Sequence, residues 1–448
     1  MSRKFFGTDG IRGEANVAPM TPETALRVGM AVAAKFGQNE TIVVGKDTRL
    51  SGYLLESALA SGVCSVGADV MFVGPLPTPG IAYITTSQRA AAGVVISASH
   101  NVFSDNGIKL FAGDGYKLPD AVEAEIEALV LGDEVESMRA RGGAIGRAVR
   151  LDDAAGRYIT HLKYGFPSDF DLDGIKVVVD CANGAGYWIG PTVLAELGAT
   201  VIAIGNEPDG VNINAGIGAM HPEVMCAAVK EHGADLGLAL DGDADRLVAC
   251  DERGELLDGD VIMAMCARDL QQRGKLRGGA VVATVMSNLG LEYSLEEVGL
   301  TLMRTPVGDR YVVEAMRSGG YNLGGEQSGH LVFTDMATTG DGMVAALQLL
   351  TIMRRTGSTL SQLSRVMTRL PQMLSGVKVA RKEPLDTLPK LSRTIRAAET
   401  ELAGKGRVLV RYSGTEAKLR IMAEGDDETQ LQRILDRIGE VAREELGG

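Results

Sequence analysis

Basic residues are in deficit: Lys plus Arg number 45 against 58 Asp plus Glu, a net charge of −13. A partner such as nucleic acid or an anionic membrane needs a broad basic face, so neither is expected. A small anion is not excluded, because a local cluster of Arg and Lys can hold a phosphate inside an acidic protein. Cysteines are few and odd in number: Cys64, Cys181, Cys226, Cys250 and Cys266, with no C-x-x-C pair. That argues against a disulfide frame or a thiolate zinc site and leaves free thiols in a reducing cytosol. No apolar run is long enough to span a bilayer, and the stretch with Arg3, Lys4, Asp9, Arg12 and Glu14 carries no secretory pattern, so a cytoplasmic protein is expected. The G-x-S-x-G elbow of a serine hydrolase is missing. So is a strand-linked G-x-G-x-x-G, since Asn183-Gly184-Ala-Gly186 with Gly190 misses the spacing of a nicotinamide site.

What is present is the rhythm of α/β domains: short apolar strand, turn, amphipathic helix, strand. Hydrophobic residues make up 45% and charged residues 23% of 448, enough to bury real cores. Strands are expected at 41–44, 70–73 and 93–97, with a helix at 121–131, in a first domain spanning 1–150. Segment 133–150 is polar and shows no strong strand. A βαβαβ arrangement follows in 151–255, with strands at 175–180, 200–204 and 235–240 and helices at 190–197 and 222–232. The third domain, 256–370, has helices near 260–272, 309–317 and 342–354 and strands at 280–285 and 321–324. The tail, 371–448, alternates strands at 377–380, 408–411 and 419–423 with helices at 388–402 and 428–446.

The sharpest local signal is Asp241-Gly-Asp243-Ala-Asp245-Arg246. Three carboxylates at alternate positions on a turn can converge on one hard cation, and magnesium takes oxygen ligands. A solvated acidic turn is the bland alternative, although packing like charges without a cation is unfavourable. An EF-hand loop fails, because Arg246 stands where its turn needs Gly. An aspartyl-phosphate phosphatase loop would carry Thr or Val in place of Asp245.

Ser97-Ala-Ser99-His100-Asn101 follows a strand and turns sharply. Ser99 can carry a phosphoryl group there, joining covalent catalysis to metal assistance; a turn bonded to its own backbone is the other option. Asp105-Asn106-Gly107 then turns into a strand carrying Lys109 between apolar neighbours. A partly desolvated Lys has a lowered pKa and can move protons, whereas an exposed strand Lys is commonplace. Arg411-Tyr412-Ser413-Gly414-Thr415-Glu-Ala417-Lys418-Leu-Arg420 offers N–H groups, hydroxyls and a guanidinium fork to phosphate. Gly324-Gly-Glu326-Gln-Ser328-Gly-His330 can read sugar hydroxyls, with His330 either supporting the loop or touching ligand. Gly7-Thr-Asp9-Gly-Ile-Arg12-Gly places one Arg within reach of a cleft.

Taken in order, FFGTDGIRG, GKDTRLSG, ISASHN, DNGIK, DCANGAG, DGDADR, TPVGDRYV, GGEQSGH and RYSGTEAKLR resemble the α-D-phosphohexomutase superfamily over nearly the whole chain. VGDRYV with GGEQSGH is similar to the branch acting on glucosamine phosphates; a mutase of glucose or mannose phosphates is the alternative. The resemblance implies four domains around a central cleft, three similar mixed-sheet α/β domains and a smaller α+β phosphate-binding domain. It implies a phosphoryl shift within one sugar, feeding amino-sugar nucleotide synthesis for the bacterial envelope. Ser99, as phosphoserine, would join Asp241, Asp243 and Asp245 around Mg2+, with hexose 1,6-bisphosphate as intermediate and activator. Ser99, His100, Lys109 and Arg12 would be catalytic. Arg246, Glu326, Ser328, Asp309 and Arg310 would bind substrate, and Arg411, Ser413, Gly414, Thr415 and Arg420 its phosphate. The partner is a small sugar phosphate, and exposed helices of the first domain suit a homodimer. The chain departs from the family pattern at Val102, at Tyr412, Ala417 and Lys418, and at Ala219-Met220, which bear on loop rigidity and turnover.

Overall fold

The computed structural model describes residues 5–7, 9–413 and 417–447. The described chain forms two compact units, one of residues up to Met286 with Leu300–Val366, the other of Ser287–Gly299 with Met367 onward.

The larger unit holds three mixed sheets. In the first, Thr41–Lys46 lies parallel to Asp69–Pro75 and Ala92–Ile96, and Ala92–Ile96 is antiparallel to Asp105–Ala112. Gly10–Glu14 pairs antiparallel with Asp105–Ala112 and carries Phe6–Gly7 at its outer edge. These strands read as continuous apolar runs because both faces are covered. Ile42, Val44, Ala92, Val94 and Ile96 point into one core, packed with residues of the helices Pro22–Phe36, Ser51–Val66 and Asp120–Leu131. Alternate residues face the other way. A Cβ on Gly45 would collide with Ile81, and one on Gly93 with Thr85, so these glycines let the helix Thr78–Ser87 lie close to the sheet.

The second sheet runs in the order Leu256–Leu257, Leu247–Asp251, Leu236–Leu240, Lys176–Asp180, Thr200–Ile204. The third runs Thr301–Thr305, Ala280–Thr284, Leu323–Gly325, Leu331–Phe333. Its helix Asp309–Gly319 buries Val312 and Met316 against Val282 and Val332.

One expectation changes. Segment 133–150, read as lacking a strong strand, ends in Ala148–Arg150, which lies parallel to Asp69–Pro75. All three residues are exposed at the sheet edge, so no apolar alternation marks them. Thr301–Thr305 and Leu331–Phe333 were not expected either.

The smaller unit has a three-stranded antiparallel sheet, Gln372–Lys378, Lys418–Glu424 and Arg407–Tyr412. The helices Pro389–Glu401 and Glu428–Leu446 supply Leu391, Leu431, Ile434 and Ile438 to its core. The first strand starts earlier than residue 377 because its half-exposed residues alternate weakly. Among the described residues the five cysteines are free, and no helix is long and apolar enough to cross a membrane.

Candidate active site

Loops at the carboxyl ends of parallel strands are where open α/β sheets place ligands. The serine loop follows Ala92–Ile96, the carboxylate loop follows Leu236–Leu240, and the loop with Glu326 and Ser328 follows Leu323–Gly325. All three meet in the larger unit.

Ser99 is buried and has φ of 52°, a left-handed conformation unusual for serine. Three features hold it. Its N–H donates to Ser97 Oγ at 2.9 Å. Its carbonyl accepts from Arg49 Nη2 at 3.1 Å and from Asn214 Nδ2 at 2.8 Å. Arg49 is itself fully buried and paired with Asp47. The carboxylate loop also packs tightly on this carbonyl. A Cβ on Gly242 would stand 2.6 Å from the Ser99 oxygen, so only Gly fits there.

The Ser99 hydroxyl donates to Asp241 Oδ2 at 2.6 Å. Asp241, Asp243 and Asp245 are all buried, and one ligand oxygen of each lies within 4.8 Å of the others. Burial, reinforced by Asp245 and Asp243, pushes the Asp241 carboxyl well above the usual carboxylate range. Asp243 moves the opposite way. Burial opposes its charge, yet Lys109 and Thr78 outweigh burial and hold the carboxylate far below that range. Thr78 Oγ1 donates to Asp243 Oδ2 at 2.6 Å, and Lys109 Nζ donates to the same oxygen at 2.8 Å. Asp243 Oδ1 and Asp245 Oδ1 are buried without a hydrogen-bond partner. Three crowded carboxylates with orphaned hard oxygens fit a divalent cation such as Mg2+, which would remove the mutual repulsion.

Lys109 is buried, as its apolar neighbours suggested, but its pKa is not lowered. Burial works against its charge, and Asp243, Asp9 and Asp245 outweigh burial and hold it above its ordinary value. Desolvation alone would lower it, as expected from the sequence; the three carboxylates that reverse the direction come from segments far away along the chain. His100 Nδ1 lies 3.4 Å from Ser99 Oγ. Burial, with help from Arg246 and Arg12, lowers its pKa to about 4, so the ring is neutral at neutral pH. Arg12 pairs with Asp9 and keeps a buried Nε without a hydrogen-bond partner; Arg246 Nε likewise has none and lies 3.9 Å from Asp245. Both are cations with N–H groups to offer an anion.

Arg246 and His330 form a backbone bridge that ties the carboxylate loop to the loop with Glu326 and Ser328. His330 is buried, with neither ring nitrogen hydrogen-bonded. Glu326 Oε1 accepts from the Gly308 N–H at 3.2 Å, and Ser328 Oγ lies exposed 3.5 Å from Glu326 Oε2. Asp309 pairs with Lys117. Arg310 is turned to Asp120 and Glu123 of the first domain's helix. Asp9, Lys117, Thr78, Arg49 and Asn214 were not assigned roles from sequence. Apart from Arg12 beside Asp9 and Asp47 beside Arg49, their partners lie in remote segments, and only Asp9 and Arg49 fall inside the motifs.

In the smaller unit, Arg411 and Arg420 stand directly opposite each other on antiparallel strands. Burial and the neighbouring Arg420 lower the Arg411 pKa. Two facing cations are unfavourable without an anion between them. Ser413 is buried, its N–H donating to Lys418 O at 2.8 Å. Gly414 and Thr415 lie outside the described residues.

The chain matches models of phosphoglucomutase/phosphomannomutase alpha/beta/alpha domain I over residues 3–136, domain II over 156–254 and domain III over 258–370. Residues 374–441 match the C-terminal domain of the same family. A phosphoglucosamine mutase of Syntrophotalea carbinolica is 57% identical over 100% of this chain and 99% of its own length. One from Geobacter metallireducens is 56% identical over 100% of both. Among solved structures, a phosphoglucomutase/phosphomannomutase family protein of Burkholderia thailandensis has a TM-score of 0.80 at 24% identity, covering 98% of this chain and 97% of its own. Aspergillus fumigatus N-acetylphosphoglucosamine mutase, in complex with GlcNAc-6P and magnesium, has a TM-score of 0.70 at 18% identity over 99% and 96%.

Proposed function

The chain belongs to the phosphoglucomutase/phosphomannomutase family of phosphohexomutases, and we propose that it acts as a phosphoglucosamine mutase, interconverting glucosamine 6-phosphate and glucosamine 1-phosphate. The observation that carries the chemistry is the Ser99 hydroxyl 2.6 Å from Asp241 in a buried triad of carboxylates. The choice of sugar rests on full-length relatives of that name. We place domain boundaries near residues 150, 255 and 370, and the enzyme in the cytoplasm.

Phosphorylated Ser99 gives its phosphoryl group to the free hydroxyl of the bound sugar monophosphate. The serine P–O bond breaks, a sugar P–O bond forms, and the proton of the sugar hydroxyl ends on the freed serine oxygen; it passes back to a sugar oxygen when the other phosphate is returned to Ser99. The product is the 1,6-bisphosphate, which turns end for end and returns its other phosphate to Ser99. Asp241, Asp243 and Asp245 would hold Mg2+ beside the serine oxygen, where the ion supplies Lewis-acid assistance when bound. Lys109 and Arg12 bring fixed positive charge to the transferring group. The neutral His100 ring, its Nδ1 3.4 Å from the serine oxygen, can donate its N–H to that oxygen once the phosphate has left, while the serine hydroxyl donates to Asp241. Glu326, Ser328, Asp309 and Arg246 read the sugar, and Arg411, Ser413, Gly414, Thr415 and Arg420 hold its non-reacting phosphate. The cradle must accept either phosphate, which suits a Ser-Gly-Thr loop.

Phosphorus NMR of the protein with magnesium, a trace of hexose 1,6-bisphosphate and glucosamine 6-phosphate tests this. Glucosamine 1-phosphate should form, and Ser99→Ala should abolish it. Turnover of glucose or mannose 6-phosphate alone would move the chain to the other branch.

A further inference from the structure

Six side chains close a ring beside the serine. Lys109 lies 3.4 Å from Asp9 and 3.6 Å from Asp245. Asp9 pairs onward with Lys117, and Lys117 with Asp309. Asp309 is 3.6 Å from His330 Nε2, and that nitrogen is 3.8 Å from Asp245. The ring draws on segments matching family domains I, II and III. Every member but Lys117, Asp9 and His330 already has a place in the chemistry above.

Lys117 has only 12% of its side chain exposed. Burying an ammonium carries a desolvation penalty that an apolar residue of the same size would avoid. What the ammonium adds is a link. It takes Asp9 Oδ1, leaving Oδ2 to Arg12 and Lys109, and it takes Asp309 Oδ2 at the start of the helix Asp309–Gly319. Asp309 Oδ1 accepts from the Arg310 N–H at 2.8 Å, so this carboxylate is fixed to the turn beside Glu326.

We propose that Lys117 is a positioning residue: by bridging Asp9 and Asp309 it sets the distance between the cations that serve the transferring phosphoryl group and the loop that reads the sugar. The proposal rests on the mutase reading above. A displacement of about 1 Å between reacting groups costs roughly a hundredfold in rate, so such a link acts on kcat. It touches neither sugar nor phosphate, so KM should hardly move.

The test compares the full-length protein with Lys117→Met, Lys117→Gln and Lys117→Arg. Expected for the Met and Gln variants is a kcat lower by about a hundredfold, with KM for glucosamine 6-phosphate within about threefold of the parent. Arg should restore most of the rate, because a guanidinium can bridge two carboxylates. Hydrogen–deuterium exchange on the same proteins should quicken in 9–14 and 308–312 together in the uncharged variants. Using Gln beside Met covers the event that one of them fails to fold. An unchanged kcat in a folded uncharged variant, or a loss that Arg does not repair, overturns the proposal. If the parent turns over no glucosamine 6-phosphate, the mutase reading fails instead, and exchange decides: unaltered exchange at the two segments overturns the link, and coupled quickening sustains it.

Discussion

At the scale of single residues, the site is stabilised by groups that never reach the substrate. Arg49 neutralises Asp47 and carries the carbonyls of Ser99 and Asn101, so the strained serine backbone is supported by a fully buried charge pair. Asp180 does similar work for the second sheet, its carboxylate accepting from the N–H groups of Ala182 and Gly218 at 2.9 and 2.8 Å. Burial outweighs those two bonds and raises its pKa to about 6. The unfolded value is about 3.9. Between those values the folded chain keeps a proton that the unfolded chain has released. Stability therefore falls as pH rises from about 4 to about 6 and stays lower above it, by up to about 2–3 kcal/mol. Asp180→Asn removes this titration. Urea unfolding at pH 4.5 and pH 7 should show the variant gaining on the parent by about 2 kcal/mol at the higher pH, the part of the change that falls between those two values. Parallel pH curves would contradict the assignment.

At the scale of elements, the facing arginines of the C-terminal sheet give a prediction. If Arg420 holds phosphate as proposed, Arg420→Gln removes a charge-assisted bond to it, and KM for the sugar phosphate should rise about ten- to hundredfold. An unchanged KM in the folded variant would take Arg420 out of the phosphate site. This pairing was not legible in the sequence, where Arg411 and Arg420 are only nine positions apart in a polar loop motif; the register that sets them opposite is a property of the folded hairpin. Strands buried on both faces, such as Lys176–Asp180 and Leu236–Leu240, were legible because burial writes a continuous apolar run. Exposed or half-exposed strands, Ala148–Arg150 and Gln372–Lys378, carry no such mark and were missed or shortened. The triad and Ser99 were legible as local motifs. Thr78 and Lys117 were not, because Thr78 meets Asp243 at a separation of 165 residues and Lys117 meets Asp309 at 192.

At the scale of the whole molecule, two compact units hold two different kinds of ligand group. The larger unit contains the carboxylate triad with Ser99, and the smaller contains the facing arginines. A ligand that binds only the folded form stabilises the unit that binds it, by about 2.7 kcal/mol at a hundredfold excess over its Kd. The proposed magnesium site is made by the serine loop and the carboxylate loop, held together by Gly242, Asn214 and Arg49, so the ion should act on the larger unit alone. Inorganic phosphate should act on the smaller. Multidomain chains commonly unfold in more than one step, and scanning calorimetry of the full chain can follow each. Magnesium should raise one transition by a few degrees. Phosphate should raise the other. Asp245→Asn should abolish the magnesium increment and leave the phosphate increment intact, while Arg420→Gln should do the reverse. If both ligands moved the same transition equally, and either variant removed both increments, the two sites would be thermodynamically one, and the division of labour between the units would be wrong.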